Sequence, residues 1–214
     1  MTLSVSALLT APSRFFDARR ADFDRWPPLL IVAFTGGITL GAQLLLSSMS
    51  VIGDQPTIEY VTHALQVTLP ALTVSGAAIS FGHVFGYWFL YSVTFYLLTI
   101  PFAEDGTFRT LFWLSGWGFL PWLLAGTVWL LAMVLSAFSV PAPTMTAGNG
   151  AFVQAVQDTV LVQFTKPLDY LGTLWSLGLW TVAVSKVRAV KRWQAVLAVL
   201  PVGLFELAKI LLFI

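Results

Sequence analysis

Long apolar stretches dominate the chain, and five of them are long enough to cross a lipid bilayer. A membrane-spanning helix needs about 20 mainly apolar residues. The stretches that meet this length cover residues 29–52, 75–102, 110–140, 167–187 and 193–214. Turn-type or charged clusters separate them, as in the run Glu-Asp-Gly at 104–106. The pattern therefore predicts an all-α integral membrane bundle of five transmembrane helices, formed by residues 27–214.

Two shorter stretches between the predicted spans carry apolar residues at helical spacing, with polar residues between them. The first stripe consists of Ile58, Val61, Leu65, Leu69 and Leu72. The second consists of Phe152, Val153, Val156, Val160 and Leu161. We predict two short surface helices in the outer loops, either at the membrane surface or tucked against the bundle. The alternative is that each stripe extends a neighbouring span.

The first 26 residues form a separate predicted segment. Its stretch SRFFDARRADFDRW mixes the aromatic residues Phe15, Phe16, Phe23 and Trp26 with arginines and aspartates. This mixture is typical of an amphipathic helix on the cytoplasmic membrane surface, with its rings in the leaflet and its arginines near lipid phosphates. The alternative is an ordinary solvated leader.

Composition supports a membrane protein and excludes several other classes. The 214 residues are 57% hydrophobic and 10% charged, whereas soluble domains average roughly a quarter charged residues. The net charge of +1 does not suggest a basic face for nucleic acid. There is no cysteine, which excludes disulfides and thiolate metal sites.

Basic residues gather in the loops of one predicted side. Arg109 lies between the second and third spans, and eight other cations lie before the first span or around the link between the last two. They are Arg14, Arg19, Arg20, Arg25, Lys186, Arg188, Lys191 and Arg192. Loops rich in Lys and Arg stay in the cytoplasm. The pattern predicts a cytoplasmic N-terminus, a C-terminus on the opposite side, and contact between these eight side chains and lipid headgroups.

Three charged residues are predicted to meet near the outer face of the bundle. A short link makes the last two helices antiparallel neighbours. At about 1.5 Å per residue, Asp169 lies about 25 Å beyond Lys186, and Lys209 lies about 24 Å beyond Trp193. Glu206 is on the same helix face as Lys209. We predict a polar cluster of Asp169, Glu206 and Lys209, acting either as a clamp between helices or as an ion path.

His83 is a further polar candidate inside the second span. An imidazole there either relays protons or forms a hydrogen bond to a neighbouring helix. It lies between Gly82 and Gly86, which form a GxxxG pair, as do Gly37 and Gly41 in the first span. Small residues at this spacing let helix backbones approach closely. We expect these four glycines to pack helices within the monomer.

No catalytic constellation is evident. Ser75 and His83 would lie about 12 Å apart along one helix, too far for a nucleophile and its base. The sequence has no HExxH motif, phosphate loop or dinucleotide fingerprint. The chain is therefore predicted to be no enzyme and to bind neither a metal nor a cofactor.

Three stretches together resemble the Yip-domain family. They are APSRFFDAR, DGTFRTLFWLSGWGFLPWLL and LDYLGTLWSLGLWTVAVSKVRAVKRWQAVLAVLP, and the resemblance covers roughly residues 11–205. It implies five spans, a cytoplasmic N-terminus and no catalytic residues. Eukaryotic members of that family interact with Rab GTPases in vesicle traffic through a long N-terminal region. Here about 26 residues precede the first span, as in the compact prokaryotic members.

Two functions are expected. The first is a non-enzymatic membrane scaffold or adaptor whose basic face meets lipid headgroups or a second protein, itself in the membrane or in the cytoplasm. The second is a transporter, channel or lipid-moving protein, with a path near His83 or the Asp169–Glu206–Lys209 cluster. A polar cavity through the membrane would favour the second function, and a filled interior would favour the first.

Overall fold

A computed structural model describes residues 5–21, 24–49, 57–61, 66–140 and 149–213 of the chain. The N-terminal half contains helices α1 (Val5–Thr10), α2 (Pro12–Ala21), α3 (Trp26–Met49) and α4 (Ala71–Thr99). The C-terminal half contains α5 (Phe108–Ser115), α6 (Leu120–Ala137), α7 (Asn149–Gln157), α8 (Val160–Gln163), α9 (Lys166–Val187) and α10 (Arg192–Phe213). Parts of predicted elements lie outside the described residues, namely residues 50–52, Phe23, Leu65 and Ile214.

The described parts of all five long apolar stretches are mainly helical. The third is divided, because a 3₁₀ turn at Gly116–Phe119 separates α5 from α6. Pro121 follows at the start of α6, where the missing N–H of proline removes no hydrogen bond from the helix. By length and composition, two of the described segments are long and apolar enough to cross a membrane: Trp26–Leu45 and Phe108–Ala137.

The first predicted surface helix is wrong. Strands β1 (Thr57–Val61) and β2 (Gln66–Pro70) form an antiparallel pair instead, with Thr57 opposite Pro70 and Val61 opposite Gln66. The strand sequences TIEYV and QVTLP are rich in β-branched and aromatic residues, which favour strands. Apolar residues also alternate with polar ones within each strand. The helical spacing arose because residues of two separate strands were counted as one segment.

The second predicted surface helix is confirmed as the pair α7 and α8. Phe152 and Val156 are fully buried against Met133 and Ala137 of α6. The first part of the stripe therefore covers the end of α6, whereas Val160 and Leu161 are exposed.

A lattice of aromatic rings fills the interior around Trp180 of α9. Its indole lies 5.5 Å from the ring of Tyr91, 5.8 Å from Phe95 and 5.6 Å from Phe119, measured between centroids. The indole Nε1 donates a 2.8 Å hydrogen bond to the carbonyl oxygen of Ser115. Aromatic groups with one polar atom can be buried at low cost when that atom is bonded. Trp180 of α9 thus contacts α4, the end of α5 and the 3₁₀ turn before α6.

Two of the four aromatic rings of the N-terminal segment pack into this core, which corrects the expectation that these two rings enter the lipid leaflet, whereas Trp26 is exposed. Phe15 and Phe16 are fully buried, and the Phe15 ring meets Trp117 at a centroid distance of 4.8 Å. Helix α2 lies against α9. The aromatic rings of α2 therefore stabilise the bundle itself.

The glycines predicted to pack helices are not at close contacts. A β-carbon added at Gly37, Gly41, Gly82 or Gly86 would meet no described atom within 4 Å. Close approach occurs instead at other glycines. At Gly118 an added β-carbon would overlap the indole of Trp180. A GxxxG spacing shows small residues on one helix face, but it does not show whether a large ring lies opposite.

We expect Gly118→Ala to destabilise the protein by about 1–3 kcal/mol, because the new methyl group collides with a fixed indole. The apparent Tm of the purified protein in detergent should fall by several degrees. Gly82→Ala is the matched control and should change the Tm little. Equal Tm values for the two variants would contradict this account of the core.

Candidate functional site

Three segments meet at one end of the bundle, which we call the basic end. They are α2, the turn between α4 and α5 (residues 100–107) and the turn between α9 and α10 (residues 188–191). Arg188 joins the two turns: its Nε donates to the Thr99 hydroxyl at 3.1 Å, and its Nη1 donates to the Gly106 carbonyl. The guanidinium carbon also lies 4.3 Å from the centroid of the Tyr96 ring.

The backbone conformation of the two turns allows them to approach each other at the Arg188 junction. Gly106 has a φ of +88°, and an added β-carbon would collide with the carbonyl oxygen of Val187. Glycine adopts positive φ without steric cost and allows this approach. Ala189, in the facing turn, has a φ of 52°, a left-handed conformation that is unfavourable for alanine. The Ser185 hydroxyl closes the turn with a 2.8 Å bond to the Val190 carbonyl.

Two ion pairs attach α2 to the end of α9 and to the turn between α4 and α5. Lys186 Nζ lies 2.7 Å from a carboxylate oxygen of Asp17, and Arg20 pairs with Asp105. A hydrogen bond from the Gly106 N–H, and next the Arg20 guanidinium, hold the pKa of the Asp105 carboxyl below its ordinary value. Exposed pairs of this kind contribute little stability each, so their main effect is to set the position of α2.

Of the eight predicted headgroup contacts, four make contacts within the protein and four are exposed. Arg188 is 5% exposed and bonded inside the protein, so its prediction as a headgroup contact is wrong. Arg19 is half-buried, with its guanidinium 4.6 Å from the Phe15 ring centroid, while Arg20 and Lys186 are engaged in the ion pairs described above. The predicted headgroup contacts left exposed are Arg14, Arg25, Lys191 and Arg192, and Arg109 is exposed as well.

A cavity of about 680 Å³ lies in the half of the bundle away from the basic end. We call it the bundle cavity. Its apolar wall includes Val84, Phe119, Trp122 and Phe205. Its polar groups are Thr35, Thr39, Tyr87, Asp169, Thr173, Glu206 and Lys209. The volume is within the range of about 300–1,000 Å³ that is common for ligand sites.

Glu206 and Lys209 form one satisfied unit in this cavity. The Lys209 ammonium lies 3.0 Å from each carboxylate oxygen of Glu206. Glu206 is 4% exposed and also accepts a hydrogen bond from the Tyr91 hydroxyl. The ammonium further lies 4.5 Å from the centroid of the Tyr87 ring. A buried carboxylate requires this kind of compensation.

Asp169 lines the same cavity but stands apart from that unit. Within the described part of the chain, no Lys, Arg or His forms a salt bridge with it. It also lines a second, more polar space of about 190 Å³, the far-end pocket, together with Gln154, Gln157 and Lys166. The predicted cluster is thus brought to one cavity, with Asp169 at its boundary toward the far end.

His83 does not belong to the cavity. Its side chain is exposed, and its ring stacks at 6.2 Å from Tyr87. The predicted polar cluster is therefore confined to Asp169, Glu206 and Lys209, and a path past His83 stays a prediction. Among the described residues, no group of three or more His, Cys, Asp or Glu side chains is placed to hold a metal ion.

Tyr91 and Trp122 are parts of the site that sequence reasoning missed. Tyr91 bonds Glu206, and Trp122 Nε1 donates to Thr173 at 3.3 Å across the cavity wall. Both are large aromatic residues in apolar runs, where lipid contact and core packing have the same sequence signal. Thr173, one turn beyond Asp169, was the available signal for a polar wall on α9.

A family model of the Yip1 domain matches residues 6–213. The chain belongs to the Yip1 domain family. The match extends from α1 to α10, so the Yip1 domain includes both the basic end and the bundle cavity. No curated protein and no solved structure matches the chain. Family membership and the apolar helices identify a membrane protein, and they confirm the resemblance found in the sequence.

We expect Arg188→Ala in this Yip1 domain to lower the unfolding free energy by about 2–4 kcal/mol, because Thr99 and Gly106 lose a charged partner. Arg188→Lys should be intermediate, since an ammonium cannot reproduce the fork of a guanidinium. The exposed Arg192 provides the control, and Arg192→Ala should leave the apparent Tm nearly unchanged. The same Tm loss for Arg188→Ala and Arg192→Ala would contradict a specific junction.

Proposed function

We propose that this Yip1 domain chain is a non-enzymatic, five-span membrane scaffold or adaptor. Its basic end would face the cytoplasm and present a preformed surface to lipid headgroups and to a protein partner in membrane organisation or trafficking. The observation that carries the proposal is the junction made by Arg188. It ties two separate turns into one rigid surface and leaves other cations exposed around it.

Rigidity matters here because binding costs less free energy when the surface is already ordered. The core below this surface is filled by side chains that are 3% exposed or less. They include Phe95, Leu114, Trp117, Trp180 and Val184. A filled interior supports a structural role for this half of the bundle and disfavours a channel that passes through it.

The placement of aromatic residues supports the proposed orientation. Trp26 is 68% exposed and begins α3, and Trp193 is 55% exposed and begins α10. Both therefore lie near the basic end, where amphipathic indoles favour the headgroup region. The basic residues of α2 and of the two turns lie at this same end, as the positive-inside rule requires of cytoplasmic loops.

The absence of native cysteine makes the topology directly testable. We expect Arg109→Cys and Lys191→Cys to react with a membrane-impermeant maleimide from the cytoplasmic side alone. Gln154→Cys, and a cysteine appended after Ile214, should react from the other side alone. Labelling in right-side-out and inverted vesicles measures the side from which each cysteine reacts. Reaction of the appended cysteine from the same side as Lys191→Cys would contradict five crossings.

The adaptor role predicts protein contacts at the basic end. A photoreactive amino acid at Arg14 or Lys191 should yield a discrete protein adduct in native membranes, whereas one at the lipid-facing Leu197 should not. Lys191→Glu with Arg192→Glu should reduce the Arg14 adduct about threefold, because the surface charges change sign. If the photoreactive residues at Arg14 and Lys191 gave adducts with lipid alone, the adaptor role would be rejected. A lipid-binding scaffold would then remain.

The bundle cavity favours a second candidate, a protein that binds or moves an amphiphile within the bilayer. The cavity combines an apolar wall with three charged side chains, as a lipid site would require. Its floor is Phe119 and Trp122, which pack on Trp180 at centroid distances of 5.6 and 5.4 Å. The cavity therefore supports binding from one side of the bundle better than a continuous transport path.

A further inference from the structure

The bundle cavity contains more negative than positive charge. Its charged groups are Asp169, Glu206 and Lys209, so it carries one excess negative charge when all are ionised. Lys209 contacts both oxygens of Glu206 at 3.0 Å and is therefore already neutralised. Among the described residues that line the bundle cavity, no free cation offsets Asp169 against an anionic group. The charge left to recognise a ligand is the carboxylate of Asp169.

We propose that the bundle cavity binds a phospholipid whose headgroup carries a primary ammonium, with that ammonium on Asp169. A carboxylate with no salt bridge is a strong acceptor for a cationic N–H donor. Thr39 and Thr173 line the same cavity, and a hydroxyl oxygen has two acceptor lone pairs that can serve the remaining N–H groups. A quaternary ammonium has no N–H and cannot form these bonds.

The far-end pocket favours the same headgroup charge. It shares Asp169 and also contains Asp158, Lys166, Gln154 and Gln157. The Gln154 amide donates to the Asp158 carboxylate at 3.2 Å. Two carboxylates against one lysine give this described lining a negative balance, so an ammonium is favoured on this side of Asp169 as well.

The acyl chains have a matching apolar route. The wall of the bundle cavity includes Phe205, which is 48% exposed on α10, so the cavity reaches the lateral surface of the bundle. Neighbouring α10 residues on that surface are apolar as well, since Leu204 is 59% exposed. A water-soluble amine would leave this apolar wall unused, whereas a membrane lipid covers it. The ligand is therefore a bilayer component and not a free amine.

This proposal is independent of a protein partner at the basic end and adds a ligand to the scaffold. The test is native mass spectrometry of the full chain with phosphatidylethanolamine, phosphatidylcholine and phosphatidylglycerol of identical acyl chains. We expect preferential binding of the ethanolamine lipid. Asp169→Asn keeps the shape but removes the charge, and it should weaken that binding about tenfold, which is the usual effect of losing a charged hydrogen bond.

Glu104→Gln is the matched control, because it removes an exposed carboxylate from the turn at the basic end and should leave lipid binding unchanged. A Tm measurement confirms that Asp169→Asn is folded; if it is not, the headgroup preference of the unmodified chain decides. Equal binding of the ethanolamine and choline lipids would overturn the proposal, as would unaltered binding by a folded Asp169→Asn. Displacement of the lipid by equimolar free phosphoethanolamine would overturn the bilayer source.

Discussion

The buried guanidinium of Arg188 is the interaction on which the basic end depends. It connects the turn that follows α4 with the turn that follows α9, which are 82 residues apart in sequence at the Gly106 contact. No other type of side chain offers several fixed donors and a flat face for Tyr96 at the same time. Because desolvating a charge costs several kcal/mol, its bonds must persist for the turns to stay together. The ion pairs of α2 are secondary to this junction, since they are exposed.

The resulting bundle is asymmetric along its length. Toward the basic end, Trp117 and Trp180 leave a filled interior, and the Phe15 and Phe16 rings of α2 complete it. Toward the far end, the helices separate around a cavity with charged groups. A packed half resists deformation, whereas a cavity loses contacts that a ligand can restore. The proposed partner surface and the proposed lipid site therefore lie in different halves of the bundle.

Much of the helical framework was predictable from sequence, because the length of an apolar stretch depends on composition alone. The meeting of Asp169 with Glu206 and Lys209 around one cavity was also predictable, since a short link makes α9 and α10 antiparallel neighbours of known rise per residue. The direction in which a side chain points was not predictable from the sequence. Arg188 has the sequence context of Lys191 and Arg192, yet it points inward because Thr99 and Gly106, distant in sequence, supply its acceptors.

The predictions of a first surface helix and of helix packing at four glycines were wrong for related reasons. Ile58 and Leu69 fitted a helical spacing because two short alternating strands, read as one segment, imitate it. The spacing of Gly82 and Gly86 described one helix and contained nothing about the opposite one. Strand pairing and helix contact are relations between separate segments. Periodicity within one segment cannot specify them, whereas a family model matched over nearly the whole chain does identify the fold family.

Glu206 and Asp169 show how the same functional group acquires two roles in one cavity. Glu206 has an ammonium three residues away and a tyrosine hydroxyl, so its charge is balanced by the protein. Asp169 lies in the first turn of α9, where the helix dipole favours a negative charge without neutralising it. The first carboxylate therefore holds α10 against α4. The second lines both the bundle cavity and the far-end pocket and forms no salt bridge with a described residue, which is why we propose it as the partner of a lipid ammonium.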